Sequence, residues 1–201
     1  MADDTSPRVA VITGTTRVGR FSEKVADWVV QRLRERGDFE VELVDLRDHQ
    51  LPFFDGRAPA HTPREYARDD VAHLGRAIDR ADGYVVVTGE YNHGYPAVLK
   101  NAMDWTFVEW RHKPITFVSW GNVGGARAVE QLRAVAVEFE MAPLRHAVHI
   151  LPDVLVPAIR AGDAFAASHL APLEPRLELM ADDLSWWTSA LAAARTREGT
   201  R

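Results

Sequence analysis

Apolar and polar positions along this chain recur in two rhythms. A short apolar run, Val9, Val11 and Ile12, stops at Gly14, and periodic sequence resumes at Ser22, with Val25, Trp28, Val29 and Leu33 at helical spacing until Gly37. This predicts a strand, a loop, and a helix that begins near Phe21 or Ser22 and that Gly37 ends. Residues 39 to 46, FEVELVDL, set Phe39, Val41 and Leu43 against Glu40 and Glu42, the period of a strand with one wetter face, which belongs near a sheet edge. Pro52, Gly56, Pro59 and Pro63 make residues 51 to 63 a loop, and Ala67, Val71, Leu74 and Ile78 then line one side of a helix.

Two continuous apolar runs follow, YVVVT at 84 to 88, opened by Gly83, and ITFVS at 115 to 119, preceded by Lys113 and Pro114. Such runs are typical of strands covered on both faces. Between them Leu99, Met103 and residues 105 to 107 supply a helix, with Pro96 placed for its first turn, where a missing N–H costs nothing. Val129, Leu132, Val135 and Phe139 space out another. A strand near residues 144 to 151, a Pro-rich connection, and a helix from about Glu174 to Arg195 complete the pattern. Five strands alternating with five helices predict an α/β protein, a doubly wound sheet of five parallel strands with helices on both faces. Right-handed crossovers and the edge-like second strand favour the order 2-1-3-4-5, as in flavodoxin-like folds. At 201 residues one domain is expected, with MADDTSP as a polar tail that lacks signal-peptide character.

Composition narrows the partners. With 24 Lys plus Arg against 29 Asp plus Glu, the net charge of −5 argues against nucleic acid or an anionic membrane. No apolar run approaches the roughly 18 residues of a membrane span. The absence of cysteine excludes disulfides, thiolate metal sites and cysteine nucleophiles, and fits a reducing cytoplasm. The eight His residues show no metal-binding spacing, so no metal is expected.

The chemistry gathers in three loops. The first, residues 13 to 22, holds the hydroxyls of Thr13, Thr15, Thr16 and Ser22, the charges of Arg17 and Arg20, and Gly14 and Gly19. A helix starting there presents free N–H groups and the positive end of its dipole, which suits a phosphate, and Ser22 can serve as N-cap or as a ligand. A phosphate-binding loop of the nucleotide triphosphatase type fails, because Gly19 is followed by Arg20 and Phe21 rather than by Lys and a hydroxyl. A dinucleotide fingerprint fails at Thr16, where its second Gly should stand. The second loop, residues 89 to 98, places Glu90, Tyr91, Asn92 and His93 at the carboxyl end of a buried strand, where ligands bind in open α/β sheets. The third, residues 120 to 128, offers the bare backbone of Gly121, Gly124 and Gly125 to a flat ligand. A molecule with a phosphate at one end and a planar hydrogen-bonding ring at the other fits, and flavin mononucleotide has that shape.

The motifs TGTTRVGRFSEKVADWV, TGEYNHGYPAVLKNAMDW and SWGNVGGARAVEQLR resemble those of the NAD(P)H-dependent FMN reductases, a family that includes quinone, azo-dye and chromate reductases. The resemblance runs from about residue 8 to 151. It implies that Thr15, Arg17 and Ser22 hold the FMN phosphate, aided by backbone N–H groups at Arg20, Phe21, Ser22 and Glu23, with Arg20 a further candidate. Glu90, Tyr91, Asn92, His93 and Gly94 would flank the ring, with Glu90 as a loop or subunit support, and Ser119, Gly121, Gly124 and Gly125 would complete the site. Where the family's second motif opens on Pro, this chain has Gly89, which loosens the turn beneath the ring. The resemblance further implies NADPH or NADH as donor, a small-molecule electron acceptor such as FMN, a quinone or an azo compound, and a homodimer or homotetramer. No side chain is expected to carry the chemistry itself. Trp105, Phe107, Trp110 and Trp120 read equally as an interface, an acceptor pocket or core. A flavodoxin-like electron carrier and a non-catalytic FMN-binding protein remain alternatives. Against the carrier stands the expectation that Arg17, Arg20, Arg111 and Lys113 surround the flavin, where a carrier is acidic.

Overall fold

The computed structural model describes residues 6–56, 66 and 68–198. The first five residues, and Pro59, Pro63 and Ala67, lie outside them. The elements run β1 (Arg8–Thr13), α1 (Ser22–Arg36), β2 (Glu40–Asp45), α2 (Asp69–Asp79), β3 (Gly83–Gly89), α3 (Ala97–Trp105), β4 (Pro114–Trp120), α4 (Ala126–Glu138), β5 (Ala142–Pro143), β6 (Val148–Ile150), α5 (Pro152–Arg160) and α6 (Glu174–Glu198). The strand order is β2-β1-β3-β4, then β5 and β6 both against β4, and every pair is parallel.

Side-chain alternation divides the core. Val9, Val11, Val85, Val87 and Val118 face one layer with Trp28 and Leu33 of α1 and Leu177 and Leu184 of α6. Ala10, Ile12, Tyr84, Val86, Ile115 and Phe117 face the other, with Leu74 of α2, Leu99 of α3 and Leu132 of α4. β3 is buried throughout, as its unbroken apolar run requires, and β2 is an edge strand. Gly37 ends α1 in the left-handed conformation at φ 77°, its N–H on Arg34 O at 3.2 Å.

Three local expectations are corrected. The fifth strand position is split, so the sheet has six strands: Ala142 and Pro143 pair with Pro114 and Ile115, and Val148 to Ile150 pair with Val118 to Trp120. Between the two pieces, side chains take the carbonyls that a ladder would use. Arg133 donates to Leu144 O and, at 3.0 Å, to Arg145 O, while Thr116 Oγ1 donates to His146 O at 2.6 Å. The Pro-rich connection contains a sixth helix, α5. Pro152 stands in its first turn, and the N–H that Pro157 lacks would have paired with the carbonyl of Asp153, an exposed residue whose carbonyl is open to solvent. Finally, Phe21 is the N-cap of α1 and Pro96 that of α3, so Ser22 is helical and Pro96 precedes its helix.

Parallel pairing puts the carboxyl ends of β1, β3 and β4 on one edge, which brings the three loops together. No helix among the described residues is long and apolar enough to cross a membrane.

Candidate functional site

In the first loop, Thr15 and Ser22 are fully buried and their hydroxyls meet at 2.5 Å. One O–H closes this bond, so the pair keeps one hydrogen to donate. The N-cap Phe21 has no side-chain oxygen, and no side chain caps α1, so the orphan N–H groups of its first turn are left to whatever occupies the loop. The two arginines differ sharply. Arg17 is exposed, and its guanidinium has no partner among the described residues. Arg20 is 4% exposed, and every guanidinium nitrogen is engaged: with Asp45 at the end of β2, with Glu23, and with the Thr15 carbonyl. Burial works against the Asp45 carboxylate, but the Arg20 hydrogen bonds and the Arg47 N–H hold its pKa below the ordinary value. Arg20 thus departs from the expectation of a guanidinium free for phosphate. It is neutralised by two carboxylates and fastens the loop to β2, while its backbone N–H bonds Arg17 O at 3.2 Å. Glu23 likewise spends its carboxylate on Arg20 and, at 2.6 Å, on Arg47.

In the second loop, Tyr91 and Gly94 exchange both backbone hydrogen bonds, at 2.8 and 3.0 Å, around Asn92 and His93, whose φ angles are 50° and 71°. This is the geometry of a type I′ turn, which requires two left-handed residues and for which Asn-Gly is the usual signal. With His in the second place the turn is strained and holds a short exposed tip. Gln131 of α4 donates to His93 O at 2.9 Å. Glu90 points the other way. Its side chain is 4% exposed and pairs with Arg127, accepting the Nε–H at 2.7 Å and the backbone N–H at 3.2 Å. Burial pushes the Glu90 carboxyl up, but Arg127 and the N–H groups of Arg127 and Ala128 more than reverse this and hold it below its ordinary range. Glu90 therefore ties the second loop to the start of α4.

In the third loop, Gly124 and Gly125 are left-handed at φ 67° and 77°, and a Cβ on Gly125 would stand 2.7 Å from Ser119 Cβ. Only glycine fits there. Ser119 is buried, and its hydroxyl donates to Gly124 O at 2.7 Å, with His149 Nδ1 3.0 Å away. The Ser119 hydroxyl thus braces the loop from beneath. Gly124 N–H closes the turn onto Gly121 O at 3.0 Å, whereas the N–H groups of Asn92 and Gly125 make no hydrogen bond among the described residues.

Arg111 and Lys113 do not border this crevice, which corrects the expectation that they surround a flavin. They precede β4 and so lie at the opposite edge of the sheet, roughly 20 Å away at the ordinary rise of a strand. Arg111 pairs with Glu140 at 2.7 Å, and buried Lys113 donates to Asp79 O at 2.9 Å. Of the aromatic residues, Trp110 is core, Phe107 packs against Phe139 at 4.9 Å, Trp105 carries the chain at Pro52, and Trp120 is partly buried beside the loops. Sequence reasoning missed Arg127, Asp45 and His149. A basic residue just after a glycine turn was a signal for the first; the other two depend on strand pairing.

A parallel sheet whose carboxyl edge carries an anion-suited loop and glycine-lined turns defines a flavodoxin-like nucleotide-binding protein. The chain belongs to the NADPH-dependent FMN reductase family, whose model matches residues 7–153. It is 34% identical over 172 residues to an NAD(P)H-dependent FMN reductase of Schizosaccharomyces pombe, covering 84% of this chain and 86% of that protein. It is 41% identical over 137 residues to a quinone reductase of Escherichia coli, covering 65% of this chain and 69% of that one. In fold it is similar to the flavoenzyme NAD(P)H:(acceptor) oxidoreductase FerB of Paracoccus denitrificans, with TM-score 0.68 and 23% identity, over 92% of this chain and 98% of the other.

Proposed function

We propose that this protein is an NAD(P)H-dependent flavin oxidoreductase that holds FMN in the three-loop crevice and serves a small-molecule acceptor. The observation that carries the reading is the anion end: Arg17, whose guanidinium has no partner among the described residues, beside a helix start that no side chain caps. Thr15, Arg17 and Ser22, with the N–H groups of Phe21, Ser22 and Glu23, would hold the phosphate. Tyr91, Asn92, His93, Gly94, Gly121, Gly124 and Gly125 would flank the ring, and the N–H groups of Asn92 and Gly125, unpaired among the described residues, suit negative charge on it. Arg20, Glu90 and Ser119 act indirectly, by fixing the loops. Bound FMN supplies hydride acceptance from NADPH or NADH and its return to an acceptor such as FMN, a quinone or an azo compound. The protein's part is to leave one face open and hold the loops rigid.

We assign it to the cytoplasm, which suits a chain without cysteine. We read it as a homodimer or homotetramer with the flavin near a subunit boundary. Tyr91 and Val123, 38% and 42% exposed in the crevice loops, support that reading. The test is anaerobic mixing of FMN-loaded protein with NADPH and, separately, NADH, followed at the oxidised-flavin absorbance. Bleaching with either is expected; tight FMN binding without bleaching would replace the reductase by an electron carrier.

A further inference from the structure

Trp120 joins the three loops. It ends β4 opposite Gly89, the last residue of β3, and its carbonyl accepts the Glu90 N–H at 2.9 Å. Its ring meets that of Phe21 edge-on at 5.9 Å, and Phe21 is braced in turn by Phe165 at 5.8 Å. A Cβ on Gly89 would stand 2.9 Å from Trp120 Nε1 and 3.1 Å from Cε2. The indole therefore fills the space that Gly89 leaves, and any larger residue at 89 would push it off.

The indole N–H is a donor and nothing else. Trp105 Nε1 donates to Pro52 O at 2.9 Å and Trp110 Nε1 to Thr106 Oγ1 at 2.8 Å. Trp120 Nε1 has no acceptor among the described residues, although the ring is clamped and only partly buried. A fixed donor left open at the junction of three loops is available to a bound molecule.

We propose that Trp120 is a cofactor-contact residue whose indole N–H donates to a hydroxyl oxygen of the ribityl chain, the polyol that joins flavin ring to phosphate. The assignment rests on the FMN reading above. Trp120 stands between Phe21, in the phosphate-side loop, and Gly89, at the root of the ring-side turn, and the polyol is the part of FMN that spans those two ends. Gly89 is then a specificity device, since its missing side chain is what admits the indole.

The test is titration of the apoprotein with FMN and with riboflavin, which keeps the ribityl chain and lacks the phosphate, read by quenching of flavin fluorescence. Trp120→Phe should weaken both flavins by the same factor, about 5-fold to 10-fold, as expected for one lost neutral hydrogen bond. Gly89→Ala reaches the contact from the other side and should weaken both at least as much. In the Trp120→Phe background it should add little, because the phenyl ring lacks the atoms that crowd Gly89. Unchanged affinities, a loss for FMN alone, or additive effects of the two substitutions would overturn the contact. Wild-type protein that binds neither flavin would overturn the FMN reading itself, a separate result from FMN binding that Trp120→Phe leaves intact.

Discussion

The two edges of the sheet use the same residue types to opposite ends. At the amino edge, charges and backbone groups close on one another. Asp82 accepts Arg8 N–H at 3.0 Å and Arg195 at 2.6 Å, Arg195 also reaches His112 O at 2.8 Å, and Lys113 caps the carbonyls that end α2. At the carboxyl edge, Arg17, Trp120 Nε1 and the start of α1 have hydrogen-bonding capacity that the described residues do not use. A satisfied charge contributes to stability, and an unsatisfied one beside a concave edge is available to a ligand. The carboxyl edge is not loose, however, because Arg20, Glu90 and Ser119 spend their polar atoms holding it in place.

Substitutions can separate these roles. The largest effect is expected from Gly125→Ala, which forces a Cβ into Ser119 in a left-handed residue. It should cost about 3 kcal/mol in denaturant unfolding and abolish FMN binding. At the other edge, Lys113→Met removes a charged donor from Asp79 O and from Ile78 O, which keeps the Tyr84 hydroxyl, and should cost about 2 kcal/mol, with FMN affinity unchanged in the same titration. If affinity falls as well, the two edges are not independent. Arg17→Ala should do the reverse, lowering FMN affinity about 10-fold to 30-fold, in keeping with one charge-assisted hydrogen bond, while leaving riboflavin affinity and the unfolding midpoint as they were.

A smaller effect concerns pH. The Glu90 carboxyl is held below its ordinary value of 4.5 in the folded protein. Its contribution is therefore complete above that pH and fades as pH falls through the lower folded-state value. Glu90→Gln should lower stability by about 1 kcal/mol at neutral pH. The gap from wild type should close in acid, as unfolding curves between roughly pH 7 and pH 3 would show. A gap that persists in acid would mean that shape rather than charge ties the loops. The smallest change is a gain: His93→Gly relieves a left-handed residue in the type I′ turn and should stabilise by up to about 1 kcal/mol, measurable as a raised melting temperature.

Much of this was legible in the chain. The buried strands were visible because short, β-branched apolar runs such as YVVVT are typical of strands covered on both faces, and Gly37 marked the end of α1 because few residues but glycine take that φ cheaply. The split fifth strand was not legible, since it depends on Arg133 and Thr116 reaching carbonyls that strand pairing would otherwise use. Helix α5 was hidden because two prolines in nine residues read as a break until their missing N–H groups are placed.

Local periodicity, turn residues and loop composition thus determined the alternation of strands and helices and the composition of three polar loops, because each follows from neighbours a few residues apart, and the rule of right-handed crossovers led from that alternation to the parallel order. Which polar group is free and which is spent was decided by the tertiary structure alone. Arg17 and Arg20 lie in one loop with the same charge; Glu23, three positions on, meets Arg20 locally, and Asp45, 25 positions along the chain, arrives from the neighbouring strand to complete its neutralisation, while Arg17 stays exposed.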